Sequence, residues 1–168
     1  MTSHIDNAGP ATPLPQGDPR LLDTDAARQL LASTVPARMG YLAAHGTPRV
    51  VPTWFHWTGE ELLMGAPPNS PKMKVLAVRP QVAVSIDTVE WPYQWLTVRG
   101  TAAVQVSAEP FAEYPTMARR YLGQHAAEEY LAFLDDPITV MARIALRPTW
   151  VGLIDFQTRN PRTLGGVG

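Results

Sequence analysis

The 168-residue chain contains no cysteine. That excludes disulfides, thiolate metal sites and a cysteine nucleophile together, and it fits a cytoplasmic protein. Charge is scarce as well. Asp, Glu, Lys and Arg make up 17% of the residues, below the ~25% of an average globular chain, so much of the surface must be neutral or covered by a second copy. The net charge is −1, and no basic stripe of the kind that holds nucleic acid is present. No apolar run approaches the ~18 residues of a membrane span. The opening MTSHIDNAGPATPLPQGDPR has no basic n-region and no apolar h-region, so no signal peptide is expected. The four histidines, His4, His45, His56 and His125, show no metal-ligand spacing. A G-x-S-x-G elbow and a G-x-G-x-x-G turn are both missing, which leaves serine hydrolysis and a Rossmann nicotinamide site unsupported.

What is there reads as one domain. Residues 1–20, rich in proline and poor in apolar side chains, are expected to be a mobile tail. Residues 21–160 form the folded domain and residues 161–168 a C-terminal tail. Thr24 is a natural N-cap for a helix ending near Ser33. Strands follow over Met39–Ala44 and Arg49–Trp57, joined by a turn at Gly46. Thr58-Gly59-Glu60 then turns the chain into Glu61–Ala66 as a hairpin. A short helix is expected over Pro71–Val78, with Pro71 in its first turn. Gln81–Thr88 alternates Val82, Val84 and Ile86 with smaller or polar residues, as a half-buried strand does. After an aromatic loop (Trp91, Tyr93, Trp95), Leu96–Val106 resumes strand character, with Gly100 as a bulge or a close-approach point. Phe111, Tyr114, Met117, Tyr121 and Leu122 lie at helical spacing. Gly123 separates them from a second helix, and Pro115 is expected to bend the first. Two closing strands, Ile138–Leu146 and Thr149–Asp155, flank a bend at Arg147-Pro148. Six or more strands with a few flanking helices predict an α+β fold around an antiparallel barrel, which removes exposed sheet edges.

The densest chemistry lies in the loop after the second hairpin. Ser70, Lys72 and Lys74 cluster at a helix start, where free N–H groups and ammonium groups together suit an anion. Lys72 and Lys74 diverge by ~200° on a regular helix, so both reach one phosphate only if Lys72 precedes the regular turns. Lys72 is the favoured ligand. A solvated pair of surface lysines is the alternative.

Several segments in register resemble the pyridoxamine 5′-phosphate oxidase-like split β-barrel family. They are RMGYLAA at 38–44, PRVVPTWFHW at 48–57, the SPKMKVL…RP run from Ser70 to Pro80, QVAVSID at 81–87, LTVRGTA at 96–102 and MARIALRPTWVGLIDF at 141–156. The resemblance implies a homodimer with FMN or the deazaflavin coenzyme F420 in the groove between subunits. It implies ring contacts from Val51, Pro52, Thr53 and Trp54, and phosphate contacts from the region of Ala66, Ser70, Lys72 and Lys74. Arg99 would reach a cofactor phosphate or a substrate acid across the dimer, or else form a structural salt bridge. Trp54 and Trp150 are the tryptophans whose family positions favour a cofactor role. The expected activity is hydride transfer between the cofactor and a small organic substrate. The alternative is a non-catalytic flavin, deazaflavin or haem carrier or sensor.

The chain also departs from the best-known enzymes of that family. Pro71 stands where an arginine usually precedes the lysine, and Ala66 where a threonine often ends the strand. Thr158-Arg159-Asn160-Pro161 does not repeat the C-terminal Arg and His that grip pyridoxal phosphate. Oxidation of pyridoxamine phosphate itself is therefore not expected.

Overall fold

The computed structural model describes residues 13–106, 110–134, 141–161 and 163. Its elements are α1 (Asp25–Ala32), β1 (Ala37–Leu42), β2 (Pro48–Thr53), β3 (Phe55–Trp57), β4 (Leu62–Ala66), α2 (Pro71–Leu76), β5 (Gln81–Asp87), β6 (Gln94–Gln105), α3 (Tyr114–Leu122), α4 (Gln124–Leu134) and β7 (Ala142–Asp155), with a 3-10 turn at Pro19–Asp23. Seven strands pair in the order β2-β1-β5-β6-β7-β4-β3, all antiparallel. The expected second strand, Arg49–Trp57, is thus two strands on opposite edges of the sheet. Only Trp54 separates them. A flat sheet of this order would place its edges about 29 Å apart, whereas two residues span at most ~7 Å. The sheet must therefore curl until its edges meet, giving the α+β split-barrel architecture.

The core follows from that curl. Met39, Val84, Ile86, Leu96, Val98, Ile144, Leu146, Val151 and Leu153 fill the inside, and Leu21, Leu22, Leu30 and Leu31 of the 3-10 turn and α1 pack into the same cluster. Thr24 caps α1 through its side chain, which accepts from Ala27 N–H. Outside the barrel, Leu63 and Ala145 pack with Phe111, Tyr114, Met117 and Leu134 beneath α3 and α4. β4 is therefore covered on both faces, which explains its unbroken apolar run, Leu62-Leu63-Met64-Gly65-Ala66.

Three expectations are corrected in detail. Pro115 does not bend α3; it sits in the first turn, where its missing N–H leaves no gap. The two closing strands are one, β7, because Arg147-Pro148 is a bulge rather than a bend. Arg99 pairs with Trp150 and Gly100 with Pro148, so Thr149 is the extra residue. Pro148, with no N–H to offer, falls where the ladder is already interrupted. The segment before the 3-10 turn is also packed from Leu14 onward. Gln16 exchanges two hydrogen bonds with the Leu153 backbone, at 2.6 and 2.9 Å, and Gly17 N–H donates to Val151 C=O. Buried Arg159 donates to Leu153 C=O at 3.1 Å and to Leu14 C=O. Residues 1–12 and most of 161–168, the rest of the expected tails, lie outside the described residues, as do 138–140 of the first closing strand.

Candidate functional site

α2 is a single short helix of 6 residues, started by Pro71 and preceded by Ser70 at the cap. Its inward face carries Met73, Val75 and Leu76, all buried. That anchoring fixes where the polar residues of the segment point. Ser70 makes no capping bond, and its Oγ is buried without any hydrogen-bond partner. Lys72 is half-buried, pairs with no carboxylate among the described residues, and burial pulls its pKa below the ordinary 10.5. Lys74 is exposed. A buried hydroxyl without a partner and a desolvated ammonium without a counter-ion are both costly in isolation. An anion within reach of either would offset its cost.

Lys74 faces a different space. A cavity of about 360 Å³ is lined by Tyr41, Ala43, Ala44, His45, Arg49, Asn69, Pro71, Lys74 and Val75. The β1–β2 hairpin makes its far wall: the register sets Tyr41 opposite Arg49, and Gly46, at φ 84, turns the tip. Arg79 ties that tip down from the end of α2, donating to Ala43 and Ala44 C=O at 3.3 Å each. The two lysines therefore serve different surroundings, as their angular separation required, and Lys72 does not line this cavity.

Tyr41 and Arg49 also border a larger groove of about 690 Å³ on the outer face of β1, β2, β5, β6 and β7. Gly40, Ala83 and Gly100 give it small side chains, and Leu42 and Val50 stand exposed at 48% and 68%. Arg99 and Trp150 line its other side, with the Arg99 guanidinium carbon 3.5 Å from the indole centroid. Arg99 makes no salt bridge among the described residues; its partner is the indole. A cationic end opening into a smooth apolar floor suits a flat ring with an anionic tail.

The remaining expected contacts are dispersed. Val51 and Thr53 are half-buried and Pro52 is exposed on edge strand β2. Ala66 is fully buried inside the barrel, where its methyl supplies neither donor nor acceptor. Trp54 stacks on Tyr121 at 5.1 Å and 8°, so one of its faces is already occupied. With Pro52 and Thr53 it borders a small cavity under the helical pair. His56 is half-buried on β3; burial, then the nearby Arg120 charge, lowers its pKa below the ordinary 6.5. Tyr41, His45 and Arg49 escaped the sequence reading as site residues. The signal was the hairpin register: once Gly46 marks the turn, Tyr41 and Arg49 must face one another. Among the described residues no cluster of three metal-ligating side chains exists, and no helix is long and apolar enough to cross a membrane.

Comparison with known proteins agrees with this architecture. The family model for Pyridoxamine 5'-phosphate oxidase matches residues 23–153. A solved structure described as an F420 reductase is 26% identical, with a TM-score of 0.61 over 74% of this chain and 94% of that one. A general stress protein 26-related protein of the pyridoxinephosphate oxidase family from Clostridium acetobutylicum shares the fold at 11% identity. Its TM-score is 0.58, over 82% of this chain and 89% of that one. A heme binding protein from Mycobacterium smegmatis does so at 19% identity and a TM-score of 0.54, over 77% of this chain and 52% of that one. No curated protein matches the chain significantly. With a family match across residues 23–153 and a sheet whose edges meet at one residue, the chain belongs to the pyridoxamine 5′-phosphate oxidase-like split-barrel family.

Proposed function

We propose that this protein is a homodimeric oxidoreductase that holds a phosphate-bearing flavin or deazaflavin and transfers a hydride between it and a small organic substrate. One observation carries the reading: Ser70 Oγ is buried without a partner, and Lys72, two residues on, is half-buried with no counter-ion among the described residues. A phosphate would accept from both. α2 is too short to contribute much of a dipole, and Pro71 and Ala66 supply no donors, so the two side chains bear most of the load. The groove floored by Gly40 and Ala83 would take the ring, and the exposed Leu42 and Val50 would be covered by the second subunit. The 26% identity with an F420 reductase favours the deazaflavin over FMN. Bound there, the ring would supply the redox chemistry, and the protein would supply binding, orientation and exclusion of water.

A second reading is favoured by His45. It lines the cavity with Tyr41 and Lys74, where its imidazole would hold a haem iron, and haem binders share the fold. On this reading the protein is a carrier without turnover.

Side-by-side fluorescence titration of ligand-free protein with FMN and with the deazaflavin separates these. Binding of one with micromolar or better affinity, weakened about tenfold or more in Lys72→Ala, supports the phosphate assignment. Unchanged affinity in that variant sinks it. A Soret band on haem addition, with no binding of either ring cofactor, selects the carrier.

A further inference from the structure

Beneath α3 and α4, where β2 gives way to β3, lies an open recess of about 240 Å³ that the cofactor groove does not include. Trp54 and Tyr130 form its aromatic walls, meeting edge to face at 5.6 Å and 66°. Met117 and Met141 supply flexible sides, and Thr53 brings it to the strand that also borders the cofactor region. Tyr114 closes one wall. It stands directly over Gly65, where an added Cβ would lie 2.7 Å from its ring, so glycine is what admits it.

We propose that this cavity is the substrate pocket of the oxidoreductase, and that it takes a small, uncharged ring compound carrying one hydrogen-bond acceptor, such as a ring ketone. The inference rests on the cofactor reading above for the word substrate, and on the cavity's own chemistry for the class of ligand. None of its lining side chains is charged. An anion placed there would give up part of its hydration to a lining that offers no cation, which disfavours phosphorylated and carboxylated compounds. The aromatic walls favour a flat ring, and the two thioethers adapt to its outline.

The acceptor follows from counting hydroxyls. Tyr114 and Tyr130 share one hydrogen bond of 2.9 Å between their oxygens. Two hydroxyls have two protons, and that bond uses one. Tyr114 is almost fully buried and Tyr130 half-buried, so Tyr130 is the more accessible of the two. Burial and this bond raise the Tyr114 pKa, keeping its proton in place. Either oxygen can donate in that bond, and the arrangement in which Tyr114 donates leaves the Tyr130 O–H free for a carbonyl oxygen. Thr53 Oγ–H is already used on Trp54 C=O at 3.1 Å, so it does not compete.

The test labels methionine methyl groups with carbon-13 and adds 1-indanone or its acidic analogue 3-oxoindane-1-carboxylate to the full-length protein, first ligand-free and then with the cofactor that binds. The expected result is saturable shifts of the Met117 and Met141 methyl signals with 1-indanone and none with the carboxylate at equal concentration. Tyr130→Phe keeps the ring in place and should weaken the ketone roughly three- to tenfold. Silent methyl groups, equal response to the carboxylate, or undiminished binding in Tyr130→Phe each overturn the pocket. Cofactor binding is read separately from cofactor fluorescence. Cofactor binding with silent methyls defeats this inference alone. Responsive methyls without any cofactor binding defeat the oxidoreductase reading, and the substrate role with it.

Discussion

Arg99 sits over Trp150, its guanidinium carbon 3.5 Å from the indole centroid. The pair faces each other across the bulge, in the register that links β6 to β7. Glycines make the indole's position possible: a Cβ on Gly152 would sit 2.5 Å from the ring, and one on Gly17 2.8 Å from its nitrogen. Gly152→Ala should therefore displace Trp150 from beneath Arg99. A loss of about 1–3 kcal/mol is expected, the usual result of overpacking. Urea unfolding gives the magnitude, and a changed near-ultraviolet tryptophan signal would tie it to the indole.

Lys72 makes an unusual prediction because its charge is a liability in the ligand-free protein. Burial lowers its folded pKa below the unfolded 10.5, so the unfolded chain binds the proton more tightly. Stability should rise as pH climbs through the folded pKa, and the gain should be complete above 10.5. Lys72→Met removes that slope. The variant should be at least as stable as the parent at neutral pH while binding the cofactor more weakly. Thermal unfolding at several pH values, with and without cofactor, checks both halves; a Lys72→Met protein clearly less stable when ligand-free contradicts the first.

Arg120 fastens α3 to the barrel. Its guanidinium donates to Leu31 C=O at 2.7 Å and to Phe55 C=O, and lies 4.5 Å over the Phe55 ring and 4.9 Å over Tyr121. Arg120→Met leaves two carbonyls without donors, at roughly 1–3 kcal/mol each. Lysine should rescue little, since a single ammonium cannot span both acceptors and stack on two rings. Equilibrium denaturation of both variants decides the point; full recovery by lysine would show that charge alone suffices.

Gly100 is required by the bulge. A Cβ there would lie 2.0 Å from Arg147 C=O, a backbone atom with no freedom to step aside. Gly100→Ala is expected to separate β6 from β7 locally and to cost more than Gly152→Ala, where the obstacle is a side chain. Comparative urea midpoints test the order.

Much of this was legible in the residues. Alternation exposed β5 and β6, Thr24 marked the start of α1, and Gly100 pointed to a bulge or a close approach. The order of motifs pointed to the split barrel. Three features resisted, for physical reasons. Strand character alone does not say which neighbour a strand pairs with, so the continuous run from Arg49 to Trp57 hid a change of partner at Trp54. Proline reads as a breaker, yet Pro148 persists within β7 because a bulge excuses its missing donor. The N-terminal segment looks too polar to order itself, but Gln16 is held by a single backbone residue, Leu153, a contact that composition cannot forecast. At the site, the two-residue spacing of Lys72 and Lys74 says that they diverge, but not what either one meets. The wall that Lys74 faces depends on Arg49 and His45, which come from a different hairpin.

The single residue between β2 and β3 gives the barrel a clasp made of peptide. Elsewhere the curl is held by ladders that can be undone one bond at a time, but at Trp54 opposite borders of the sheet are joined by covalent bonds. The lining of the clasp is also the wall of the small aromatic cavity, so breathing of the seam and access to that cavity are one motion. Amide protons along β2 and β3, each paired on one side only, should exchange with solvent well before those of β6. Anything that fills the cavity would slow that exchange, tightening the clasp by occupying what it borders.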